Sequence, residues 1–229
     1  MGSAAPSDLD GIALFEGLDP ADARDLLDGH LETRHPAEQV LVLEQDWGDA
    51  LFVMRSGLAK VRSFSADGEE VVLSLLGPGD VFGEMALLDG LRRSADVVAL
   101  VPVTVMRLRG AVLRGLLEQR PQLALNLARL EATRLRDLNG RFAVHTSDGT
   151  TRLLAALSYI ARKSSAANDP LAPMPPLAQR ELALLAGLAR ETASRTLSRL
   201  RSKGTVVSTP DGGLQLADLD PLRKRGLLA

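Results

Sequence analysis

The chain has 229 residues, of which 45% are hydrophobic and 3% aromatic, so Leu, Val and Ala must fill its packed cores. The absence of cysteine excludes disulfides, thiolate metal sites and a cysteine nucleophile. Residues 148–229 carry 12 Lys and Arg against 7 Asp and Glu, whereas residues 1–147 carry 15 against 22. The basic C-terminal third favours a polyanionic partner such as nucleic acid; a solvated basic face is the alternative on charge alone.

The N-terminus shows no targeting pattern. No basic segment precedes an apolar core there, and the myristoylation pattern fails because position 6 is Pro6. No apolar run along the chain approaches the length that spans a bilayer. The sequence therefore predicts a soluble cytoplasmic protein without a membrane partner.

The first half of the chain predicts short helices followed by a β-rich unit. Residues 12–30 predict short helices, with Asp19-Pro20 as a helix start. From about Gln39 to Arg109, apolar runs alternate with turn signals, which indicates a sandwich or roll. The predicted strands are Val40–Leu43, Leu51–Met54, Ala59–Phe64, Val71–Leu75, Ala95–Ala99 and Val103–Leu108.

Residues 111–142 are predicted to be helical because apolar side chains recur there at a spacing of three to four. Pro121 fits either an early helical turn or a break between a short helix and a long one. The stripe could pack on the β-unit or pair with the same helix of a second copy, and its length favours the second. Its members are Leu116, Leu117, Leu123, Leu127, Leu130, Leu135, Leu138 and Phe142.

The remaining third predicts a small helical unit. Residues 145–149 interrupt the long helix and are predicted to act as a hinge, and Thr151–Lys163 forms the next helix. Two further helices, Gln179–Gly187 and Arg190–Leu200, are joined by a short turn with Gly187 where a left-handed residue is needed. Residues 206–216 then show the pattern of a β-hairpin.

The two joined helices have the spacing of a helix–turn–helix, whose second helix enters the major groove of DNA. Glu191 and Arg195 lie one helical turn apart, with Arg190 at the start of the helix. Arginine pairs bidentately with guanine, and glutamate accepts a hydrogen bond from cytosine. The alternative is a surface ion pair between Glu191 and Arg195, which the turn, the hairpin and the local positive charge outweigh. The further predicted DNA contacts are Gln179, Thr192, Ser194 and Arg199.

A second constellation suits a phosphate and a sugar. Gly83-Glu84-Met85 follows a glycine-rich turn, and Arg93-Ser94 comes shortly after. Backbone N–H groups, the guanidinium of Arg93 and the hydroxyl of Ser94 suit a phosphate, while the carboxylate of Glu84 suits a ribose hydroxyl. The alternative is that Glu84 and Arg93 simply pair with each other across a turn.

An enzymatic role is the remaining alternative. A hydrolase would use Glu84 with His30, His35 or His145, but no histidine lies near Glu84 in sequence. No catalytic or metal-ligand spacing stands out, so the sequence predicts no catalytic residue and no metal site.

These residues carry a resemblance to a known family. Gln179 to Val206, with Arg190-Glu191-Thr192 and Arg195, resembles the winged helix–turn–helix of the cyclic-AMP receptor protein (CRP) and fumarate–nitrate regulator (FNR) family, in its CRP branch. The segment from Gly83 to Ser94 looks like the phosphate-binding cassette of cyclic-nucleotide-binding domains. The resemblance extends from about Ile12 to Asp220.

The resemblance implies an α+β fold with an N-terminal cyclic-nucleotide-binding β-roll, a long dimerisation helix and a C-terminal winged helix–turn–helix. The corresponding domains would be 1–110, 111–146 and 147–229. It implies a homodimer through the 111–142 helix, palindromic TGTGA-like sites on double-stranded DNA, and a contact with RNA polymerase. Its effector would be cAMP, bound allosterically rather than as a catalytic cofactor.

The resemblance also implies a ligand set, in which the base is read by one strand and the long helix. Leu138-Asn139, or Asp137-Leu138 if the alignment is shifted by one residue, stands where cAMP-responsive members present adjacent Thr and Ser, or Thr and Asn. This departure leaves cGMP, cyclic di-GMP or a ligand-free active dimer as alternatives. The predicted ligand contacts are Leu73, Ser74, Gly83, Glu84, Met85, Arg93, Ser94, Leu138 and Asn139.

Overall fold

The computed structural model describes residues 5–228, which fall into two compact units. The first unit lies within Met1–Ser63 and Leu76–Arg136, and the second within Phe64–Leu75 and Asp137–Ala229. Residues 1–4, on which the expectation of no N-terminal targeting segment partly rests, lie outside the described residues. Among residues 5–228, no helix has the length and apolarity needed to cross a membrane.

The described chain contains ten strands, eight α-helices and two short 3-10 helices, Pro6–Leu9 and Ala13–Phe15. The strands are β1 (Leu31–His35), β2 (Val40–Val42), β3 (Ala50–Ser56), β4 (Ala59–Phe64), β5 (Glu70–Leu76), β6 (Val81–Phe82), β7 (Asp96–Ala99), β8 (Val103–Arg109), β9 (Val206–Ser208) and β10 (Leu214–Leu216). The helices are α1 (Pro20–Leu27), α2 (Glu84–Asp89), α3 (Gly110–Gln119), α4 (Pro121–Val144), α5 (Gly149–Lys163), α6 (Gln179–Leu185), α7 (Arg190–Ser202) and α8 (Asp220–Arg223). The predicted α+β class is confirmed.

The first unit is a roll of two antiparallel sheets. One sheet has the strand order β1-β8-β3-β6, and the other has the order β2-β7-β4 within this unit. All six predicted strands form. The sequence reasoning missed β1 and β6, because four of the five residues of β1 are polar and β6 has only two residues, so neither shows an apolar alternation.

One core of the first unit joins the N-terminal segment, the sheet β1-β8-β3-β6 and helix α3. Leu14, Leu51 and Leu113 are fully buried in one cluster, although they come from three distant parts of the chain. Helix α1 begins as predicted at Asp19, whose carboxylate accepts a hydrogen bond of 2.7 Å from the backbone N–H of Ala21.

The predicted 111–142 helix is two helices separated at Arg120. Its backbone leaves the helical region (φ −122°, ψ 89°) because the ring of Pro121 disfavours a helical residue before it. The Arg120 guanidinium holds the break by donating to the carboxylate of Asp22 at 2.5 and 2.9 Å. Of the two interpretations of Pro121, the break between a short and a long helix is confirmed.

The apolar stripe changes character along α4. Leu123 and Leu127 are buried in the core of the first unit, whereas Leu135 is 58% exposed and Phe142 80% exposed. Large apolar side chains that share an exposed helix face are typical of an interaction surface. The beginning of α4 therefore packs on its own chain, and its later part presents an apolar face.

The second unit contains α5 to α8 and the β9–β10 hairpin. Helix α5 begins after Asp148, whose carboxylate accepts hydrogen bonds from the backbone N–H groups of Thr150 (2.8 Å) and Thr151 (3.1 Å). The interruption between α4 and α5 is thus confirmed at residues 145–148. The apolar face of α5 is fully buried and comprises Leu153, Leu154, Leu157 and Ile160.

Helices α6 and α7 form the predicted helix–turn–helix. Gly187 in the turn has a φ of 59°, a left-handed value that glycine adopts without strain. Ala193, Leu197 and Leu200 bury one face of α7. Strands β9 and β10 pair antiparallel, which confirms the predicted hairpin.

Candidate functional site

The glycine turn before α2 is shaped by the side chain of Arg93. Gly83 has a φ of 88°, and a Cβ placed there would lie 2.5 Å from Nη1 of Arg93 and 2.9 Å from the carbonyl oxygen of Ala50. A Cβ on Gly48 would lie 2.3 Å from Nη2 of the same arginine. A side chain at either position would displace the guanidinium, so Arg93 can occupy this place only because both neighbours are glycine.

Arg93 is itself a buried charge, with only 5% of its surface exposed. Its Nη1 donates to the carbonyl oxygen of Gly83 at 2.6 Å and its Nη2 to that of Ala50 at 2.9 Å. Burial lowers the pKa of Arg93 from its ordinary value, and the nearby carboxylate of Glu84 opposes that shift. A guanidinium retains its charge in proteins, so this turn holds a fixed cation with N–H donors left for an anion.

Glu84, the first residue of α2, is also only 5% exposed and pairs with α4. Its Oε1 accepts a hydrogen bond of 2.8 Å from Nη1 of Arg134. Its other oxygen, Oε2, is buried and has no hydrogen-bond partner among residues 5–228. A buried acceptor without a partner destabilises the fold by its full desolvation penalty. A hydroxyl that donates to this oxygen would remove that penalty. Glu84 and Arg93 form no ion pair, so the alternative of a simple pair across the turn is wrong.

Arg134 is shared by two carboxylates. Its Nη1 also lies 3.0 Å from Oε1 of Glu131, one turn earlier on α4, and its Nη2 donates to the carbonyl oxygen of Val81. Burial raises the pKa of the Glu131 carboxyl, and the charge of Glu84 raises it further while Arg134 lowers it. Two acids and one arginine are thus held together beside the glycine turn.

Ser94 and Met85 complete the predicted phosphate-and-sugar site in the first unit, which we call the clamp. Both side chains are exposed, and the hydroxyl of Ser94 lies 3.5 Å from the sulfur of Met85. A thioether is a weak acceptor, so this contact leaves the hydroxyl available for a stronger one. The structure therefore brings together five predicted residues, namely Gly83, Glu84, Met85, Arg93 and Ser94.

The four other predicted ligand contacts belong to the second unit. Leu138 and Asn139 are exposed on α4, and Leu73 is exposed on β5. Ser74 is half-buried and its hydroxyl lies 3.2 Å from the phenol oxygen of Tyr159 on α5. Ser74 thus has a partner within its own unit that the sequence reasoning did not predict.

The second helix of the helix–turn–helix presents charged side chains to solvent. Arg190, Glu191, Arg195 and Arg199 are exposed on α7, while Thr192 and Ser194 are half-buried. Gln179 is exposed at the start of α6. Within the described part of the chain, Glu191 and Arg195 form no ion pair, so the surface-pair alternative is not what the structure shows. These side chains have the exposure that contact with a duplex requires.

The enzyme alternative finds no support in the clamp. Glu84 is bonded to Arg134 and to no histidine. His30 instead lies 2.8 Å from the carbonyl oxygen of Leu27, and His35 lies 2.7 Å from the hydroxyl of Thr33. Residues 5–228 contain no group of acidic or histidine side chains arranged to hold a metal ion.

Comparison with known proteins assigns two different domains to the two parts of the chain. Residues 32–120 match the family profile of the cyclic nucleotide-binding domain, and residues 151–225 match that of the Crp-like helix-turn-helix domain. Over 198 residues the chain is 35% identical to the cyclic AMP receptor protein of Thermus thermophilus, covering 86% of this chain and 88% of that protein. The chain belongs to the CRP/FNR family.

A second curated relative and a solved structure extend the comparison. The CRP-like cAMP-activated global transcriptional regulator of Mycobacterium tuberculosis is 27% identical over 195 residues, which cover 84% of this chain and 87% of that protein. FixK2 from Bradyrhizobium japonicum shares the fold with a TM-score of 0.73 at 20% identity, over 85% of this chain and 96% of that one. As a CRP/FNR protein, the chain is a DNA-binding transcription regulator that carries a cyclic nucleotide-binding domain and is not an enzyme.

Two charged residues that contact or lie beside Glu84 were missed by the sequence reasoning. Arg134 and Glu131 lie on α4, where several arginines alternate with apolar residues. No local signal singles out Arg134, because only the packing of α4 brings its guanidinium to Glu84. Tyr159 was missed for the same reason, although it is the one tyrosine of the chain.

Proposed function

We propose that this chain is a homodimeric regulator whose affinity for palindromic DNA is controlled by a cyclic nucleotide, with cAMP as the favoured effector. The observation that carries the proposal is the buried Oε2 of Glu84, which lacks a partner among residues 5–228 beside the buried guanidinium of Arg93. A ribose hydroxyl would satisfy the carboxylate oxygen, and a cyclic phosphate would neutralise the arginine. One small molecule carries both groups.

Different residues would bind the ribose and the phosphate of the ligand. Glu84 would accept the ribose hydroxyl, with Arg134 holding its carboxylate in place. Arg93 and the hydroxyl of Ser94 would donate to the phosphate, and the Gly83 turn would admit it without a side chain. The further contacts remain sequence predictions and comprise Leu73, Ser74, Met85, Leu138 and Asn139.

The preference for cAMP rests on the names of two relatives. The Thermus thermophilus protein is called a cyclic AMP receptor protein, and the Mycobacterium tuberculosis regulator is called cAMP-activated. Both align with more than four fifths of this chain. We carry their effector over as the first candidate for the clamp.

The DNA half of the proposal uses α7. Arg190, Glu191 and Arg195 would read base edges, because they are exposed at the beginning of a helix whose other face is buried. Phosphate contacts would come from Arg199, Thr192, Ser194 and Gln179. A two-fold dimer would present two such helices to a palindrome of TGTGA-like half-sites.

The dimer would form along α4. Its exposed Leu135 and Phe142 form an apolar face of the kind that a second copy of the same helix covers. We propose the domain boundaries 1–110, 111–146 and 147–229 for this assembly, which would act in the cytoplasm and contact RNA polymerase. A ligand can shift such a dimer only through different affinities for its two states, so cAMP must bind the DNA-competent state more tightly.

A calorimetric titration with cAMP, followed by gel shift on a duplex with two inverted TGTGA half-sites at constant salt, tests the proposal. The expected result is saturable cAMP binding together with a higher DNA affinity when cAMP is present. A gel shift that is indifferent to saturating cAMP would rule out cAMP control.

A second candidate keeps the architecture and changes the effector. Leu138 offers no hydroxyl to an adenine, and both it and Asn139 are exposed. Parallel titrations with cGMP and cyclic di-GMP distinguish the possibilities. Tighter binding of either would reassign the effector, and a flat response to all three nucleotides, with DNA bound regardless, would identify a ligand-free active dimer.

A further inference from the structure

Tyr159 joins α5 to strand β5 through its hydroxyl. The backbone N–H of Leu75 donates to the phenol oxygen at 3.1 Å, and the hydroxyl of Ser74 lies 3.2 Å from the same oxygen. Ser74 in turn donates to the carbonyl oxygen of Leu75 at 3.3 Å. With its own hydrogen engaged, Ser74 must accept the hydrogen of Tyr159, so all three donors are used.

Arg141 reinforces the same contact from α4. Its guanidinium lies 5.0 Å from the centre of the Tyr159 ring, within the range of a cation–π interaction. It also donates to the backbone carbonyl oxygens of Val72, at 3.3 Å, and of Leu73. Side chains from two helices are thus hydrogen-bonded to backbone groups of β5. Every residue involved belongs to the second unit.

This contact joins two functions that the sequence assigns separately. Leu73 and Ser74 are predicted ligand contacts, whereas α5 is the helix on which α6 and α7 are packed. Ser74 has one hydrogen to donate, and in this arrangement its oxygen is already bonded to Tyr159. A ligand group that accepts a hydrogen bond from Ser74, such as a phosphate oxygen, must take the hydrogen that Ser74 now donates to the carbonyl oxygen of Leu75, and this reorganises the set of hydrogen bonds.

We propose that Tyr159 is a positioning residue of the effector response, which orients Ser74 and holds β5 to α5 in the state that binds DNA weakly. The inference rests on the proposed function, because it takes Ser74 as a ligand contact. If the nucleotide raises DNA affinity and also displaces Tyr159 from Ser74, the contact belongs to the low-affinity state. Linkage then requires that loss of the contact strengthens nucleotide binding and nucleotide-free DNA binding together.

The substitution Tyr159→Phe tests this in the full chain, because it removes the hydroxyl and keeps the ring beside Arg141. The measurements are the affinity for the inverted TGTGA duplex, with and without saturating cAMP, and the affinity for cAMP by calorimetry. We expect nucleotide-free DNA affinity and cAMP affinity each to rise about three- to tenfold, the range for loss of one or two hydrogen bonds. DNA affinity at saturating cAMP should stay unchanged.

The matched control is Ser158→Ala, which removes the neighbouring hydroxyl of α5, 3.3 Å from a guanidinium nitrogen of Arg162. It should leave both affinities at the wild-type values. A merely structural role of Tyr159 predicts equal or weaker DNA binding in the variant, the opposite direction. Wild-type affinities in Tyr159→Phe would overturn the inference.

A second variant covers the case in which Tyr159→Phe does not fold. Arg141→Gln removes the donors to Val72 and Leu73 and should raise nucleotide-free DNA affinity in the same direction. Unchanged or weaker nucleotide-free binding in this folded variant would count against the contact. The proposed function fails separately, if the wild-type protein binds no nucleotide, and the nucleotide-free DNA measurements still decide whether Tyr159 restrains α5.

Discussion

The clamp of the first unit and helix α7 of the second both rely on arginine and glutamate, but they treat these charges in opposite ways. Glu84 and Arg93 are buried, and each is held by its neighbours: Oε1 of Glu84 by Arg134, and Nη1 and Nη2 of Arg93 by backbone carbonyl oxygens. Arg190, Glu191 and Arg195 are exposed and form no ion pair within the described chain. A small ligand needs donors fixed in advance in a dry site, whereas DNA must be met by long side chains that reach out from a rigid helix.

This contrast predicts different consequences of mutation. Removing a buried charge leaves its former partners unsatisfied, so it changes both binding and stability. Removing an exposed charge changes binding alone, since surface substitutions away from special features alter stability little.

Arg93→Leu should have the largest effect. The lost phosphate contacts should weaken cAMP binding at least about 100-fold, because hydrogen bonds to charged groups contribute about 1.5–3 kcal/mol each. The freed carbonyls of Gly83 and Ala50 should also lower the free energy of unfolding by about 1–3 kcal/mol. Calorimetry and urea unfolding measure the two losses. Arg92→Leu, at the exposed neighbouring arginine, is the control, and full cAMP affinity in Arg93→Leu would show that the clamp is misassigned.

Arg195→Ala tests the exposed half of the comparison. We expect a loss of about 1–3 kcal/mol of discrimination at one base pair, with no change in the urea midpoint. Competition gel shifts against single-base variants of the half-site measure it. Arg199→Ala is the matched variant, for which a phosphate contact predicts a uniform loss on all sequences. A uniform loss for Arg195→Ala as well would make it a phosphate contact.

Asp148→Ala should cost about 1 kcal/mol of unfolding free energy, the usual value of an N-cap. Hydrogen bonds from Thr151 lower the pKa of Asp148 below its ordinary 3.8, so its stabilisation is present above that value. It is lost as the pH falls through the lowered pKa of the folded state. Urea unfolding across the acidic range measures the trend. Asp148→Asn should keep the cap while removing the titration, and an equal loss in both variants would contradict the capping role.

Glu131→Gln should give the smallest effect and separates charge from shape in the clamp. The substitution removes the negative charge that Glu131 places beside Arg134. Binding of the anionic cAMP should then tighten about threefold, as expected for one partly screened charge. Because the pKa of Glu131 lies above its ordinary 4.5, wild-type cAMP affinity should rise as the pH falls through that raised value. The variant should lose this dependence. Calorimetry at several pH values measures this dependence, with Glu118→Gln on α3 as the control. Identical pH profiles for the wild type and Glu131→Gln would show that Glu131 does not act on the clamp.

The sequence predicted the local elements well because their signals are local. The Asp19 cap, the interruption at residues 145–148 and the Gly187 turn each follow from one or two side chains, and all form as predicted. The same holds for the face of α7, where a period of 3.6 separates buried leucines from exposed arginines. Strand β1 was missed because four of its five residues are polar and show no apolar period.

By itself, the sequence determined the two halves of this regulator, since Gly83-Glu84 with Arg93-Ser94 and the Arg190–Arg195 turn are short motifs whose chemistry depends on neighbours along the chain. Only the tertiary structure decided that Glu84 pairs with Arg134 rather than Arg93, and that Ser74 bonds Tyr159. Those pairs span 50 and 85 residues. Burial selects one partner among many arginines and hydroxyls, and burial is a property of the packed chain rather than of any segment.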